Sequence, residues 1–411
     1  MALKQGNGSI LSLGPEIARG GEGTIHTIVG KPQYVAKIFH KPSDEKDQKL
    51  RAMLANPPHD DTLQMGHVSI AWPTERILDD DGKCTGFIMP YIDRQNSFPL
   101  IKIYNPRNRR ELPLNFTWQY LLRMAKNLAI MLAELHKYGY VVGNLNESNV
   151  LVTGTALVTL VGCDSLQVPR PRKTGSNETP GYFLCPVGKP EYTSPELQGQ
   201  DFSSVERSPD HDNFALAVLL FLLLMEGRHP FASTWDGEGI SPTTTQNIQN
   251  NSFPYVRSSR LKMSKNALPL EILPPDVQKL MIQCFAQQHN THASPMAVVR
   301  AFLKLVYLTT MFTIWIGLYH FMKFLTLRLP FLEKGGLWFS EQLAEIEIHS
   351  LQASAQRRPS AYEWAQALEK AEKELKTCPQ HPLHVYSKHL KGKCPWCTRT
   401  KQRFPDPFPE G

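Results

Sequence analysis

VVGNLNESNVLV, residues 141–152, sets an apolar, strand-like flank against a polar turn and then a second apolar run. Asn144 sits in the turn and Asn149 at the entrance to the second run. Asn is a common turn-capping residue. Its amide oxygen is also a hard donor of the kind Mg²⁺ accepts. Fifteen positions further on, Asp164 closes another apolar strand in VTLVGCDSLQV. An amide and a carboxylate at two strand ends form a donor pair suited to Mg²⁺ carried with a nucleotide.

Upstream, the chain to about residue 105 reads as β-rich. TIHTIV, YVAKIF and TGFIMPYI are bounded by Gly, Pro and Asp-rich turns, among them DDDG at 79–82. ARGGEGTIHTIV places three close glycines between strand-forming residues. Without a Cβ, such a loop lets backbone amides approach phosphate oxygens. Lys37, on the following strand, is placed to reach the same phosphates. One helix interrupts the strands: SDEKDQKLRAML starts with Ser43 as its N-cap and acidic residues in the first turn.

Downstream the period changes. In TWQYLLRMAKNLAIMLAELHKYG, the residues Leu121, Met124, Ala125, Leu128, Leu132 and Leu135 recur at helical spacing, and Gly139 closes the helix. FALAVLLFLLLM, 214–225, is apolar on every face and too short to span a bilayer, so it reads as the buried centre of a helical lobe. The expected fold class is α+β, with a β-rich lobe followed by a helical one.

Composition adds bounds rather than chemistry. The 411 residues suffice for two or three domains, and the formal net charge of +7 is spread along the chain as a solvated surface. Seven cysteines, three of them near the C-terminus, favour free thiols and a metal site over a disulfide framework. The opening MALKQGNGSI lacks a basic start and apolar core, so the cytoplasm is the expected compartment.

The order of these features resembles the protein kinase superfamily over residues 14–295, resuming near 357–375. ARGGEG is similar to the glycine-rich loop, with Ala18 in place of the first glycine and Gly20 and Gly23 matching the others. VAKIF resembles the strand whose lysine, here Lys37, holds the phosphates. GFIMPYI resembles the hinge that cradles adenine, with Met89 and Tyr91. VGNLNESNVLV falls on the catalytic loop, CDSL on the DFG motif and GKPEYTSPEL on the end of the activation segment. HDNFALAVLLFLLLMEGRHPF matches the central helix, whose Asp212 ties down the catalytic-loop backbone. RRPS at 357–360 matches the arginine segment that pairs with Glu196. The resemblance implies ATP and Mg²⁺ as cofactors, with Asn149 and Asp164 holding the metal, and a protein Ser/Thr hydroxyl as phosphoryl acceptor. Within kinases it is similar to a bacterial group with a CPWC-containing tail.

The chain departs from the kinase pattern at several positions. Asn144 stands where kinases place the general-base Asp. An amide cannot take a proton at physiological pH, so a pseudokinase scaffold that binds nucleotide is the alternative to an active, impaired enzyme. Asn146 replaces the usual loop lysine, and Lys189 replaces the Thr that marks Ser/Thr kinases. For the helix carboxylate that should pair with Lys37, Glu45 and Asp47 are both candidates.

Two stretches lie outside that pattern. CPQHPLHVYSKHLKGKCPWC offers Cys378, Cys394 and Cys397 with His381, His384 and His389. Three thiolates and one imidazole suit a closed, structural Zn²⁺ site, and the resemblance to H-x₄-C-P-W-C tails favours His389. Residues 305–322 carry no formal charge, while His320, Lys323 and Arg328 make the second half of the apolar stretch 301–332 amphipathic. The reading is a helical insert, with membrane association through 301–332 as a further option. The expected domains are an N-lobe at 10–92, a C-lobe at 93–295, an apolar helical insert at 296–356, the end of the C-lobe at 357–375, and a small, separate zinc-binding tail at 376–411. ATP and a protein substrate or signalling partner are the expected partners; nucleic acid is not.

Overall fold

Strand periodicity builds the first layer. The computed structural model describes residues 2–112, 114–172, 181–235, 240–256, 261–286 and 357–409. Seven antiparallel strands form a curled sheet: β1 (Leu3–Gln5), β2 (Ile10–Leu11), β3 (Leu13–Arg19), β4 (Gly23–Ile28), β5 (Tyr34–Phe39), β6 (Glu75–Leu78) and β7 (Cys84–Pro90). Their order is β2-β1-β6-β7-β5-β4-β3. Because successive side chains point to opposite faces, Ala36 joins Leu11, Ile28, Ile77 and Ile88 in a small cluster on one side. Val35, Lys37 and Phe39 face the other way. The Asp-rich turn expected at 79–82 forms, with Asp79 accepting from the Asp81 and Lys83 amides and Gly82 at φ +77°.

Helix α1 (Asp44–Ala55) covers that second face. Ser43 caps it by accepting from the Lys46 amide, and Leu50 and Met53 carry its contact with the core. A short sheet of β8 (Ser97–Pro99), β9 (Val150–Thr153) and β10 (Val158–Leu160) follows, in the order β10-β9-β8. Two brief helices, α2 (Leu100–Tyr104) and α3 (Pro106–Arg109), lead to the long α4 (Trp118–Lys137). Thr117 caps α4 at its start, and Gly139, at φ +77°, lets the chain leave it.

Strands β11 (Val168–Pro169) and β12 (Tyr182–Phe183) pair antiparallel ahead of α5 (Pro209–Leu224). Every residue from Asp212 to Leu224 is buried, as the uniformly apolar run requires. The lobe is completed by β13 (Thr234–Trp235), α6 (Thr244–Gln249), β14 (Leu261–Lys262), α7 (Pro275–Phe285) and α8 (Ala361–Lys373). Phe214, Phe221, Phe231, Phe253 and Phe285 pack ring to ring around α5. The apolar insert at 296–356, including 301–332, lies outside the described residues. Among those described, no helix is long and apolar enough to cross a membrane.

The tail is a small module but not a separate one. Hairpin β15 (Leu375–Cys378) and β16 (His381–Ser387) leads to α9 (Pro395–Lys401). Trp396 is fully buried, 6.0 Å centroid to centroid from Trp118 of α4. Arg109, 2 % exposed, donates to the Pro407 carbonyl at 2.8 Å and stacks over Phe408. Arg399 pairs with Glu226 at 2.9 Å. The tail's aromatic core is therefore part of the helical lobe's core.

Candidate nucleotide site and Cys/His cluster

The hairpin of β9 and β10 brings the two hard donors to one place. Asn149 precedes β9 and Asp164 follows β10, and the Val161 amide donates to the Asn149 carbonyl at 2.9 Å, closing the strand ends together. Asp164 sits on a short helical turn, Cys163–Ser165, entered through Gly162 at φ +76°. Lys37 arrives from the opposite lobe, held in β5 between Ile25 of β4 and Phe87 of β7. Its ammonium lies 2.6 Å from the Asp164 carboxylate, with both side chains largely shielded at 14 % and 9 % exposure.

The glycine loop lies between β3 and β4. The Gly20 amide donates to the Gly23 carbonyl at 2.9 Å, making a tight turn, and His40 caps the Gly20 carbonyl at 3.0 Å. A Cβ on Gly23 would collide with the Ile38 carbonyl of β5, so only glycine lets β4 lie that close. At the far end of the sheet, Met89 pairs with Val35, and the Tyr91 amide donates to Gln33 at 2.9 Å where the chain leaves β7.

The loop at 141–149 is held from below. Asp212, 1 % exposed, accepts from the Val142 and Gly143 amides at 2.6 and 2.8 Å and from His136 at 3.1 Å. This is the tie that the resemblance implied. Arg207 donates to the Gly143 carbonyl and, at 2.8 Å, to Val187, so the loop and activation segment share one anchor. Lys189 donates to Glu147 and Ser148 at 2.9 and 2.8 Å.

Within the loop, the orientation of Asn144 follows from a chain of bonds. The Ser148 amide donates to Asn146 Oδ1 at 2.9 Å, which makes Asn146 Nδ2 the donor. That nitrogen bonds both the Asn144 carbonyl at 2.8 Å and Asn144 Oδ1 at 2.9 Å. Asn149 Nδ2 also donates to the Asn144 carbonyl at 2.8 Å, which leaves Asn149 Oδ1 as its acceptor end. The end of Asn144 not engaged by Asn146 is therefore its NH₂ group, a donor.

Neither carboxylate considered for Lys37 reaches it. Glu45 pairs with Arg170 at 2.9 Å, and Asp47 bridges Arg76 and Arg51 at 2.6 and 2.9 Å. Lys37 is held by Asp164 instead. Helix α1 directs Lys46 and Lys49 toward this region, with Lys46 bonded to Glu22 of the glycine loop at 2.6 Å.

In the tail, the hairpin brings Cys378 together with Cys394 and Cys397. The fourth residue is His384, a correction to the sequence reading. His389 instead bonds Ser387 at 2.8 Å and the Glu271 carbonyl at 3.0 Å. The ligand atoms of Cys378, His384, Cys394 and Cys397 all lie within 4.8 Å of one another. Cys378 and Cys397 sulfurs are 3.7 Å apart, and His384 Nδ1 is 3.2 and 3.7 Å from Cys397 and Cys394. Tetrahedral zinc with its usual Zn–S bonds needs sulfurs roughly 3.8 Å apart. Asp406 accepts from His384 Nε2 at 2.9 Å, which leaves Nδ1 with its lone pair toward the thiols. Burial raises the Cys394 thiol to about 12, so a bound cation has to displace its proton. The sequence offered one signal for His384: it lies on the strand that must fold back beside Cys378. Nothing local pointed to Asp406.

The chain is 28 % identical over 401 residues to protein kinase YegI of Escherichia coli strain K12, covering 96 % of this chain and 50 % of the relative. A second YegI, from Escherichia coli O157:H7, is 28 % identical over 406 residues, covering 97 % and 50 %. Over nearly its whole length the chain is therefore similar to curated protein kinases. It spans about half the length of the curated kinases it matches. Among solved structures it is similar to the autoinhibited serine kinase domain of the giant muscle protein titin, with a TM-score of 0.45 and 13 % identity over 67 % of this chain and 74 % of that one. No family model matches the chain.

Proposed function

We propose that the protein binds MgATP in the cleft between its lobes and is a protein kinase whose phosphoryl transfer to a protein Ser/Thr hydroxyl is impaired by Asn144. The observation that carries this reading is the 2.6 Å Lys37–Asp164 pair, which sits beside an Asn149 whose carbonyl end is left to accept. Gly20 and Gly23 cover the phosphates, Lys37 neutralises them, and Met89 and Tyr91 border the adenine. Asn149 and Asp164 hold Mg²⁺, which supplies charge neutralisation at the phosphates. Asn144 orients the acceptor hydroxyl but cannot receive its proton. Losing a positioned general base costs on the order of 10²–10⁴ in rate.

The second reading, a pseudokinase scaffold, is favoured by the orientation of Asn144, whose free end is a donor. A radiolabelled-ATP transfer assay on the protein beside Asn144→Asp tests both. Slow transfer that rises in the variant supports the impaired enzyme; transfer in the variant alone supports the pseudokinase. No transfer in either, with no melting shift from MgATP, rejects both. In the tail, Cys378, His384, Cys394 and Cys397 hold a structural Zn²⁺: four protein ligands leave no open position for chemistry.

A further inference from the structure

Helix α1 carries no carboxylate for Lys37, yet it does send a charged side chain into the space beside Asp164. A cavity of about 490 Å³ opens between the glycine-loop tip, α1 and the chain that follows Asp164. Glu22, Glu45, Lys46, Lys49, Asp164 and Arg170 bring its charge. Most of these charges are matched within the protein: Lys46 by Glu22, Arg170 by Glu45, and Asp164 by Lys37.

Lys49 is the exception. It lies one turn along α1 from Lys46, half-buried on the cavity wall, and makes no hydrogen bond or ion pair with the described residues. Burial pulls its pKa below the ordinary lysine range, against the opposing fields of Cys185, Asp164, Glu22 and Glu45. An enclosed ammonium without a partner costs stability. An anion in the cavity would supply the missing charge and acceptor atoms.

We infer that Lys49 is a phosphate-binding residue, directed from α1 at the terminal phosphate of a bound nucleoside triphosphate, in the place where a kinase helix would offer a carboxylate. The inference rests on the MgATP reading above. Geometry gives it a direction: Lys37 meets Asp164 from the sheet at 2.6 Å, and Lys49 lines, from the helix side, a cavity that Asp164 also lines. A diphosphate, lacking the terminal group, would leave Lys49 as it is in the free protein.

The test is calorimetric titration of the full chain with MgATP and MgADP, on the wild type, Lys49→Met and Lys49→Arg, with melting of each nucleotide-free protein. Lys49→Met is expected to weaken MgATP about tenfold or more. It should leave MgADP within about threefold and leave the nucleotide-free melting temperature unchanged or higher, since an unpaired buried charge is gone. Lys49→Arg should restore most of the MgATP affinity. Unchanged MgATP binding in Lys49→Met overturns the inference, as does an equal loss for both nucleotides or a lower melting temperature, which marks a structural lysine. A wild type that binds neither nucleotide overturns the MgATP reading, and the role of Lys49 falls with it.

Discussion

At the scale of single residues, the proposed phosphoryl transfer turns on which end of the Asn144 amide is left without a partner in its loop. The Ser148 amide fixes Asn146, Asn146 fixes Asn144, and the free end of Asn144 is then a donor. Asn144→Asp keeps the oxygen that accepts from Asn146 and converts the other atom from donor to acceptor. In the transfer assay, this substitution is expected to raise the rate by about 10²-fold or more. Asn146→Ala releases the amide from its constraint and is expected to leave the low rate low, because a freely turning amide still takes no proton. Asp164→Ala should abolish the MgATP-induced melting shift, read by differential scanning fluorimetry, since it removes both the partner of Lys37 and a hard donor.

Single elements behave differently, because the tail combines a Cys/His cluster with packing against the helical lobe. A hairpin of β15 and β16 with one short helix cannot bury a core of its own. It leans on α4 through Trp396 and Trp118, and on α3 through Arg109. Trp396→Ala is therefore expected to cost about 3–5 kcal/mol in urea unfolding, as a large buried aromatic does. Cys394→Ser should abolish zinc retention, measured by elemental analysis of the purified protein, and lower the melting temperature of the helical lobe along with the tail. Retained zinc with an unaltered melting curve would remove the cluster from any structural role. His389→Ala, by contrast, should leave the zinc content unchanged, because that ring bonds Glu271 and Ser387 rather than the thiols.

Across the whole molecule, one guanidinium joins segments far apart in the chain. Arg358, with 3 % of its side chain exposed, grips Glu196 with two bonds of 2.8 Å and Asp210 at 2.6 Å. Burial alone would raise the Glu196 carboxyl, but Arg358 holds it down at about 2, against an ordinary 4.5. A depressed carboxyl contributes stability that is complete above the unfolded value and is lost as pH falls through the folded one. Urea unfolding is therefore expected to show a loss of stability between about pH 4.5 and pH 2, a component that Glu196→Gln should remove. Arg358→Ala, which takes a buried guanidinium away from two carboxylates, is expected to cost about 3–5 kcal/mol near neutral pH.

Much of this organisation was legible beforehand, for particular physical reasons. YVAKIF spans β5 end to end because its alternation suits a half-buried strand, and FALAVLLFLLLM is buried throughout because it has no polar face. Ser43 and Gly139 mark helix ends through local hydrogen bonding and a positive φ, both properties of the residue itself. The partner of Lys37 was not legible, since Glu45 and Asp47 satisfy helical spacing equally and only packing assigns them to Arg170 and Arg76. His384 was hidden among three histidines on a polar hairpin.

By itself, the sequence determined the chemistry on offer: amides at 144 and 149, a carboxylate at 164, a lysine in a strand, and thiols with imidazoles in the tail. It also determined the local periods that make a curled sheet and a helical lobe. Only the tertiary structure decided which groups meet. It put Lys49 on the wall of a cavity that Asp164 also lines, His384 rather than His389 among the thiols, and the tail against α4. Periodicity is set by each residue and its near neighbours. Meetings between side chains a hundred positions apart depend on register, helix rotation and burial, and these are fixed only when the whole core packs.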